Sequence, residues 1–315
     1  LKKILICQTL SVNNLKVLIS GASGFIGLPL VEKLSESGCE VMALSRTCIE
    51  TKTTSKVQWL KADLSLPESY REEVKAFSPE IVVHLSWQDI PDFSFDTSIM
   101  NLNQSLEFLA FVLEIESCNK ILISGSCLEY NKAQGECKES DVCSPKDHFT
   151  WAKNSIYSWL SMRCAQKEVV LGWFRIFYVY GPGQRPGSLV PTILSSLKNN
   201  ELPYLRTPKN ANDYIFIDDV IDAFYVAIIS KKISSGIYNL GSGTSTTVLD
   251  ICRYAEQIIL GTDLHTQQLE RETKNSTVDT NFWAGIDATK KKLDWSPKIA
   301  LESGIKRTWN DFNKL

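Results

Sequence analysis

Three glycines spaced three residues apart, Gly21, Gly24 and Gly27, are the first residues in this sequence that could build a ligand site. They follow an apolar run at residues 17–19, which is the pattern of a strand buried on both faces. They lead into residues 25–37, whose amphipathic pattern predicts a helix. Glycines let the backbone approach phosphates, and the free N–H groups at a helix N-terminus attract them. The stretch therefore predicts a site for the pyrophosphate of a dinucleotide, although its spacing, G-x-x-G-x-x-G, departs from the general G-x-G-x-x-G fingerprint.

The end of the second predicted strand bears on which dinucleotide would bind. Residues 40–44 form that strand, and Ser45 and Arg46 follow it. In a dinucleotide-binding fold an acidic residue here binds the 2′-hydroxyl of NAD, whereas an arginine suits the 2′-phosphate of NADP. Ser45 and Arg46 stand without an Asp or Glu beside them, so they predict NADP. NAD is the alternative if Arg46 is only a solvated surface residue.

Composition excludes several classes of protein. The chain has 315 residues, nine cysteines and a net charge of −2. It has no basic cluster, so nucleic acid is not an expected partner, and no apolar run reaches the ~18 residues of a membrane-spanning helix. The cysteines form no C-x-x-C pair and no cluster with histidine, which predicts neither a zinc site nor a disulfide framework. We therefore expect a cytoplasmic protein with reduced cysteines and no membrane partner.

Strands and helices must position the candidate groups, and they alternate along the chain. After residues 40–44, further strands are predicted at residues 57–61, 81–85, 121–124 and 169–178. Helices are predicted at residues 67–77, 96–115, 150–166 and 190–197. Residues 1–14 precede this order, and we expect them to be an N-terminal extension of no assigned purpose.

Motifs that follow the later strands resemble those of a known family. Residues 124–131 read S-G-S-C-L-E-Y-N beside the family's S-S-x-x-x-V-Y-G. Residues 145–153 read P-K-D-H-F-T-W-A-K beside P-x-x-x-Y-x-x-x-K, and residues 175–184 read R-I-F-Y-V-Y-G-P-G-Q beside R-x-x-N-V-Y-G-P-G. In the order and spacing of its motifs, the chain from Lys16 onward resembles the extended branch of the short-chain dehydrogenase/reductase superfamily. That branch holds NAD(P)-dependent nucleotide-sugar epimerases, dehydratases and reductases.

The resemblance implies an α/β fold, with a Rossmann-type doubly wound parallel sheet and a smaller C-terminal substrate-binding lobe. It assigns residues 15–180 and 214–238 to the NAD(P)-binding domain. It assigns residues 181–213 and 239–315 to the nucleotide-sugar-binding lobe. The active site should then lie in the crevice at the carboxyl ends of the strands.

The resemblance also assigns roles to single residues. The family's catalytic Ser/Thr, Tyr and Lys fall on Ser126, Phe149 and Lys153, and Tyr178, at the family's asparagine, could substitute for the tyrosine. Lys153 would hold the nicotinamide ribose, and Ser126 would orient the sugar oxygen. The expected cofactor-binding residues are Gly21, Ser23, Gly24, Phe25, Ile26, Gly27, Ser45, Arg46, Asp63, Leu64, Leu85, Ser86, Ser124 and Lys153. The expected substrate-binding residues are Ser126, Cys127, Tyr178, Arg185 and Arg271. No metal is required.

Phe149 leaves a gap in the family's chemistry, because a tyrosine normally handles the proton at this position. A tyrosine beside a lysine can exchange protons near neutrality, whereas a phenylalanine has no proton to exchange. Three explanations stay open. The residue was substituted deliberately to trap a substrate, or it is natural and another group supplies the proton, or the protein binds a nucleotide without catalysis. The alternative proton sources are Tyr178, His148, Ser126 and water.

The two residues after Ser126 bear on the reaction. Family dehydratases carry Asp-Glu there to remove water, whereas this chain has Cys127 and Leu128, so we expect no dehydration. Arg46 favours a reductase, and the leading hypothesis is 4-reduction of a nucleotide-linked 4-keto-deoxy sugar. A nucleotide-sugar 4-epimerase is the alternative, and a non-catalytic sensor or scaffold is the second alternative. We also expect a homodimer, joined by the helices at residues 96–115 and 150–166 in a four-helix bundle.

Overall fold

The computed structural model describes residues 14–47 and 55–314. The predicted N-terminal extension, residues 1–14, therefore lies outside the described residues except for Asn14. The strands in chain order are β1 (Lys16–Ser20), β2 (Glu40–Ser45), β3 (Val57–Lys61), β4 (Ile81–His84), β5 (Lys120–Ser126), β6 (Gln134–Cys137), β7 (Val170–Ile176), β8 (Tyr178–Tyr180), β9 (Ala211–Asn212), β10 (Tyr214–Phe216), β11 (Gly236–Leu240), β12 (Thr246–Thr247) and β13 (Asn281–Ala284).

Helices connect these strands and cover the sheet. In chain order they are α1 (Gly27–Glu36), α2 (Arg71–Phe77), α3 (Phe95–Val112), α4 (His148–Lys167), α5 (Leu189–Lys198), α6 (Ile217–Ile229), α7 (Val248–Leu260), α8 (Leu264–Glu272), α9 (Asp287–Leu293) and α10 (Leu301–Phe312). Two short 3₁₀ turns lie at Pro67–Ser69 and Cys127–Tyr130. Across the described ranges, none of the helices combines the length and apolar character needed to cross a membrane.

Seven of the described strands form one parallel sheet in the order β3-β2-β1-β4-β5-β7-β11. The chain order reverses between β1 and β4, and such a reversal opens a crevice at the carboxyl ends of the strands. This topology confirms the predicted α/β fold with a Rossmann-type doubly wound parallel sheet. Strand β11 runs past residue 238, where the sequence placed a domain boundary. The division into a cofactor domain and a substrate lobe stays a prediction.

Both faces of the sheet are covered at β1, which explains the apolar run at residues 17–19 of that strand. Val17 and Ile19 in β1 face a core that includes side chains of α1, α6 and α7. Leu18 faces a second core that includes side chains of α3 and α4. All three residues are 0% exposed. A strand covered on both faces needs a continuous apolar run rather than an alternating one.

The prediction of one strand at residues 169–178 is wrong, because two strands in different sheets occupy that stretch. The main-chain N–H of Phe177 donates to Leu240 O at 2.9 Å, and that of Tyr178 donates to Asp213 O at 3.0 Å. Strand β8 then pairs with β10 in a separate two-stranded sheet. The apolar and aromatic run continues through the break, so its pattern cannot reveal the change of partner.

Two predicted helices begin later than the sequence indicated. Helix α1 starts at Gly27 rather than at residue 25, because Phe25 and Ile26 still belong to the glycine turn. In that turn the N–H of Gly24 donates to Gly21 O at 3.0 Å. Residues 67–77 divide into a 3₁₀ turn and α2.

A smaller sheet of four described strands has the order β12-β9-β13-β6. Its edge strand β6 comes from the segment that the sequence assigned to the cofactor domain. Asp213 is buried and ties this sheet to the loop after β11. Its carboxylate accepts the N–H groups of Ser242, Gly243 and Ala284 at 2.6, 2.9 and 3.1 Å. These hydrogen bonds join the smaller sheet to the loop that follows β11, which is an edge strand of the main sheet.

Candidate active site

The glycine turn after β1 forms a cradle of bare backbone. Gly21 has φ +72°, and a Cβ built on it would lie 2.8 Å from the backbone nitrogen of Ser86. A Cβ on Gly27 would overlap the carbonyl oxygen of Gly21. Helix α1 begins at this turn and has no acidic residue in its first turn to occupy its N-terminus. A cradle that only glycine permits, next to free helix N–H groups, fits the pyrophosphate of a dinucleotide.

A cavity of about 190 Å³ extends from this cradle past the end of β2. At its wall the Ser45 hydroxyl donates to Ser23 Oγ at 3.0 Å. Arg46 is exposed at the same wall, and its Nη1 donates to Gln88 Oε1 at 2.7 Å. The cavity brings together these predicted cofactor-binding residues: Gly21, Ser23, Gly24, Ser45, Arg46, Leu64, Leu85 and Ser86.

A second cavity of about 680 Å³ lies on the other side of the cradle. Its size is in the range that takes a small-molecule ligand. It shares Gly21, Gly24, Leu85 and Trp87 with the first cavity, so Trp87 stands where the two meet. It brings together these predicted site residues: Phe25, Ile26, Gly27, Ser124, Ser126, Cys127, Phe149, Lys153, Tyr178 and Arg185.

Phe149 is packed into an aromatic cluster on the wall of the larger cavity. Its ring stacks on that of Phe93 with the centroids 4.6 Å apart. It also meets the ring of Trp87 edge to face, with the centroids 5.1 Å apart. Phe149 is only 4% exposed, so these contacts hold the ring in place without any polar partner.

Lys153 lies one helical turn after Phe149 in α4 and turns its ammonium toward the same wall. Its Nζ donates to Ser124 O at 2.9 Å and lies 4.2 Å from the centre of the Trp87 ring. Burial lowers the pKa of Lys153 to about 8, and the charge of Glu129 opposes this shift. The group therefore titrates close to neutral pH.

Ser126 is held in place by a buried carboxylate. Its main-chain N–H donates to Glu129 Oε1 at 2.7 Å, and its Oγ accepts the N–H of Leu128 at 3.2 Å. Glu129 is 0% exposed and pairs with Arg175, whose Nε lies 3.0 Å from Oε2. Trp173 Nε1 donates to the same carboxylate at 3.0 Å. This network supports the backbone that carries the Ser126 hydroxyl.

Sequence reasoning missed Glu129, Trp87 and Phe93 as parts of the site. Two of them left a signal. Glu129 stands at the valine of S-S-x-x-x-V-Y-G. Residues 82–87 read V-V-H-L-S-W beside the family's V-V-H-L-A-A, so Trp87 stands at the last alanine. Phe93 lies in the loop before α3 and left none, since no motif covers that loop.

Tyr178, Cys127 and Arg185 lie in the wall of the larger cavity, as their predicted roles require. Tyr178 is 38% exposed, and burial of its hydroxyl raises its pKa above the ordinary value. Burial likewise raises the pKa of the Cys127 thiol, which is therefore protonated at neutral pH. Arg185 donates from Nη1 to Ile90 O. Of the two arginines predicted to bind substrate, it is the one placed at the cavity.

Three residues named from the sequence do not line either cavity. Asp63 accepts the N–H and the hydroxyl of Ser65 at 2.8 and 2.7 Å, and these bonds lower its pKa. Arg271 is exposed on α8, where its Nε donates to Gln267 O at 3.2 Å. His148 is exposed at the start of α4 and packs edge to face on Phe95. None of the three lines either cavity, although Asp63 stands between Leu64 and Ala62, which line the smaller one.

His84 is the other histidine near the site, and it is a packed strand residue. Its Nδ1 lies 2.7 Å from Ser20 Oγ and its Nε2 lies 3.1 Å from Ser105 Oγ. Burial lowers its pKa to about 3, so the ring is neutral. Within residues 14–47 and 55–314, no group of three or more His, Cys, Asp or Glu side chains could hold a metal ion.

Comparisons with known proteins agree on one family. The sequence pattern of the NAD dependent epimerase/dehydratase family matches residues 17–241. The CDP-abequose synthase of Salmonella typhimurium is 25% identical over 301 residues, which cover 92% of this chain and 95% of that protein. The UDP-glucose 4-epimerase of Thermotoga maritima, solved with UDP-glucose, superimposes with a TM-score of 0.81 at 23% identity and covers 95% of this chain and 99% of its own. The UDP-glucuronic acid 4-epimerase of Bacillus cereus, solved with NAD, gives a TM-score of 0.78 at 21% identity with the same coverage.

Proposed function

Because the chain belongs to the NAD-dependent epimerase/dehydratase family, we propose that it is an NAD(P)-dependent oxidoreductase that acts on a nucleotide sugar. The specific reaction that we propose is 4-reduction of a nucleotide-linked 4-keto-deoxy sugar. A curated relative whose name contains a CDP-linked sugar, CDP-abequose synthase, supports a nucleotide-sugar substrate.

The lining of the larger cavity is the main observation that supports this proposal. Ser126 and Lys153 line it together with the glycine cradle, so a reacting sugar and a dinucleotide would meet there. The next two residues, Cys127 and Leu128, also line it and present no carboxylate. Removal of water needs a positioned acid and base, so this composition favours a redox reaction over dehydration.

The proposed roles follow from these positions. The cradle and the start of α1 would hold the pyrophosphate of the dinucleotide, and Ser45 and Arg46 would contact its adenosine ribose. Lys153 would anchor the nicotinamide ribose. When bound, the nicotinamide supplies the hydride that a ketone accepts on reduction. Ser126 would orient the sugar oxygen, and Arg185 would neutralise charge on the nucleotide sugar.

NADPH oxidation tests the proposal directly. The parent protein and Phe149→Tyr would be assayed with 4-keto-6-deoxy sugars carried on CDP, dTDP and UDP, using NADPH and then NADH. Reduction by either protein, with product confirmed by mass spectrometry, supports the reductase. If neither protein reduces any of these sugars, the reductase is rejected. Binding of nucleotide without any turnover would then favour the non-catalytic alternative.

A 4-epimerase is the second candidate, and one contact favours it. Arg46 already donates to Gln88 at 2.7 Å, so part of its guanidinium is engaged within the protein rather than free for a 2′-phosphate. A site that prefers NAD suits an enzyme that recycles a bound cofactor. Interconversion of UDP-sugars at C4 with no net change in nicotinamide absorbance would support this candidate.

The predicted homodimer stays a proposal. Helices α3 and α4 pack side by side, and large apolar side chains on or beside them are exposed: Phe95 at 53%, Trp151 at 40% and Met162 at 59%. Such a face suits a four-helix bundle between two copies. Sedimentation of the protein at micromolar concentration distinguishes a dimer from a monomer.

A further inference from the structure

We propose that the ammonium group of Lys153 is itself the proton donor of the reduction, in place of the phenol that Phe149 lacks. The inference rests on the proposed reductase function. It gives Lys153 a second role besides the ribose contact, as a catalytic residue that delivers a proton to the sugar oxygen, directly or through one water.

The position of the ammonium group suits this role. Lys153 lines the larger cavity, and its Nζ lies 6.0 Å from the centre of the Phe149 ring. One of its N–H groups donates to Ser124 O, and no other acceptor is hydrogen-bonded to Nζ within residues 14–47 and 55–314. Two N–H groups are therefore available for a ligand in the cavity. The Trp87 ring and Ser124 O hold the amine in the same cavity wall as Phe149.

The charges around Lys153 keep its proton exchangeable. Glu129, in the turn after β5, is the carboxylate that acts on it, and Arg175 pairs with the far side of that carboxylate. His84, on β4, is the titratable group whose own pKa Lys153 influences, and it is neutral. Burial is the larger effect and holds the pKa of Lys153 at about 8. A general acid is most effective when its pKa lies near the working pH.

Other candidate donors fit less well. Burial raises the pKa of Tyr178 above its ordinary value, which makes that phenol a weaker acid. The Ser126 hydroxyl does not ionise near neutrality and orients a ligand rather than supplies a proton. His148 lies outside both cavities.

In the proposed reduction, the ketone receives one hydride and one proton. The carbonyl carbon accepts a hydride from the reduced nicotinamide nucleotide, and the carbonyl oxygen takes a proton as an N–H bond of Lys153 breaks and an O–H bond forms. The ketone is reduced to an alcohol, and the nicotinamide nucleotide is oxidised. The neutral amine that remains recovers its proton from water before the next cycle.

A first experiment follows Lys153 in the full chain with neither nucleotide nor sugar present. Pulse labelling with an acylating reagent, read by peptide mass spectrometry across a pH series, reports the neutral amine because only that form reacts. We expect half-maximal labelling of Lys153 near pH 8, with exposed Lys306 as the reference for reagent reactivity. Labelling that rises only near pH ~10.4, as for an ordinary lysine, would overturn the proposal.

A second experiment asks whether the proton or only the charge of Lys153 is needed. Lys153→Arg keeps a cation but cannot release its proton, so we expect retained NADPH binding and reduction slowed by about 10²-fold or more. In the parent, the rate should fall as pH rises through about 8, because the ammonium is lost. Ethylamine added to Lys153→Ala should restore reduction in proportion to the protonated amine. Full activity of Lys153→Arg, or no rescue by ethylamine, would contradict the role.

Two further variants separate this inference from the proposed function. If Phe149→Tyr reduces the sugar and the parent does not, the reductase stands and the Lys153 donor is overturned. If Tyr178→Phe abolishes reduction while Lys153→Arg does not, the donor is Tyr178. If neither the parent nor Phe149→Tyr reduces a 4-keto sugar with either cofactor, the proposed function fails and the inference falls with it.

Discussion

Two neighbouring regions of the molecule are built by different means. One is the glycine cradle with the smaller cavity, which we propose binds the dinucleotide and call the binding end. The other is the larger cavity, where we propose that the sugar reacts and which we call the reaction end. The cavity of about 190 Å³ beside the glycine cradle is shaped by backbone and small polar side chains such as Ser23 and Ser45. The wall of the cavity of about 680 Å³ is shaped by Trp87, Phe93 and Phe149. A cradle of bare backbone suits any dinucleotide pyrophosphate, whereas packed side chains decide which groups can exchange a proton. The reaction end can therefore change while the binding end keeps its geometry.

Glu129→Gln should have the largest effect, because it breaks the buried ion pair that supports the reaction end. It leaves the Arg175 guanidinium buried without its counter-charge, and we expect a loss of about 3–5 kcal/mol in the free energy of unfolding. Urea unfolding of this variant beside the exposed-site control Glu36→Gln measures the loss. Equal stability of the two variants would show that the Glu129–Arg175 pair contributes little to the free energy of unfolding. The reaction end would then not depend on buried side-chain contacts for its stability.

Gly27→Val tests the binding end. The added side chain would overlap the carbonyl of Gly21 and the backbone of Ala22, so the turn must shift. We expect NADPH affinity to fall by about 2–3 kcal/mol, which corresponds to roughly 30–150-fold. Gly236→Ala is the matched control, since a Cβ there meets only the end of the Lys292 side chain at 3.5 Å. Calorimetry that shows unchanged affinity in Gly27→Val would remove the cradle from the binding site.

Lys153→Met tests, through the pH dependence of stability, whether a buried charge at the reaction end destabilises the fold. The pKa of Lys153 is about 8 in the folded protein and near ~10.4 when unfolded, so burial of the charge destabilises the fold below pH 8. That destabilisation is lost as pH rises from about 8 to ~10.4. We expect the variant to be more stable than the parent by about 1–3 kcal/mol at pH 7, with the gain shrinking above pH 8.

Thermal unfolding across this pH range, with Lys306→Met as the exposed control, checks the expectation. A variant that is less stable than the parent at pH 7 would mean that the contacts of Lys153 with Ser124 and Trp87 outweigh the burial of its charge. The net effect of Lys153 at the reaction end would then be to stabilise the fold rather than to destabilise it.

Arg46→Ala should have the smallest effect and acts only at the binding end. Loss of one charged contact to a 2′-phosphate should weaken NADPH binding by about tenfold and leave NADH binding nearly unchanged. Lys61→Ala, at the end of the neighbouring strand β3, is the matched control. If the affinity for both cofactors is unchanged, Arg46 hydrogen-bonds Gln88 rather than the cofactor, and the site does not discriminate NADPH from NADH.

Sequence motifs predicted the strand, turn and helix that form the glycine cradle, because this geometry depends on local chain properties. The glycine spacing and the apolar run at residues 17–19 indicated the strand, the turn and the helix, and the structure contains all three. The break at Phe177 escaped prediction, since one continuous run of apolar and aromatic residues supplies strands to two different sheets. Arg271 is exposed on α8 and lines neither cavity, so its contact with a substrate stays a prediction.

The sequence by itself determined the α/β fold, the glycine cradle and the absence of a hydroxyl at residue 149. These are properties of single residues and of periodicity over a few turns. Only the tertiary structure decided that Phe149 packs between Phe93 and Trp87, and that Glu129 lies behind Ser126. The same packing buries Lys153 and lowers its pKa. Burial and charge proximity arise between segments distant in the chain, so no local pattern can specify them.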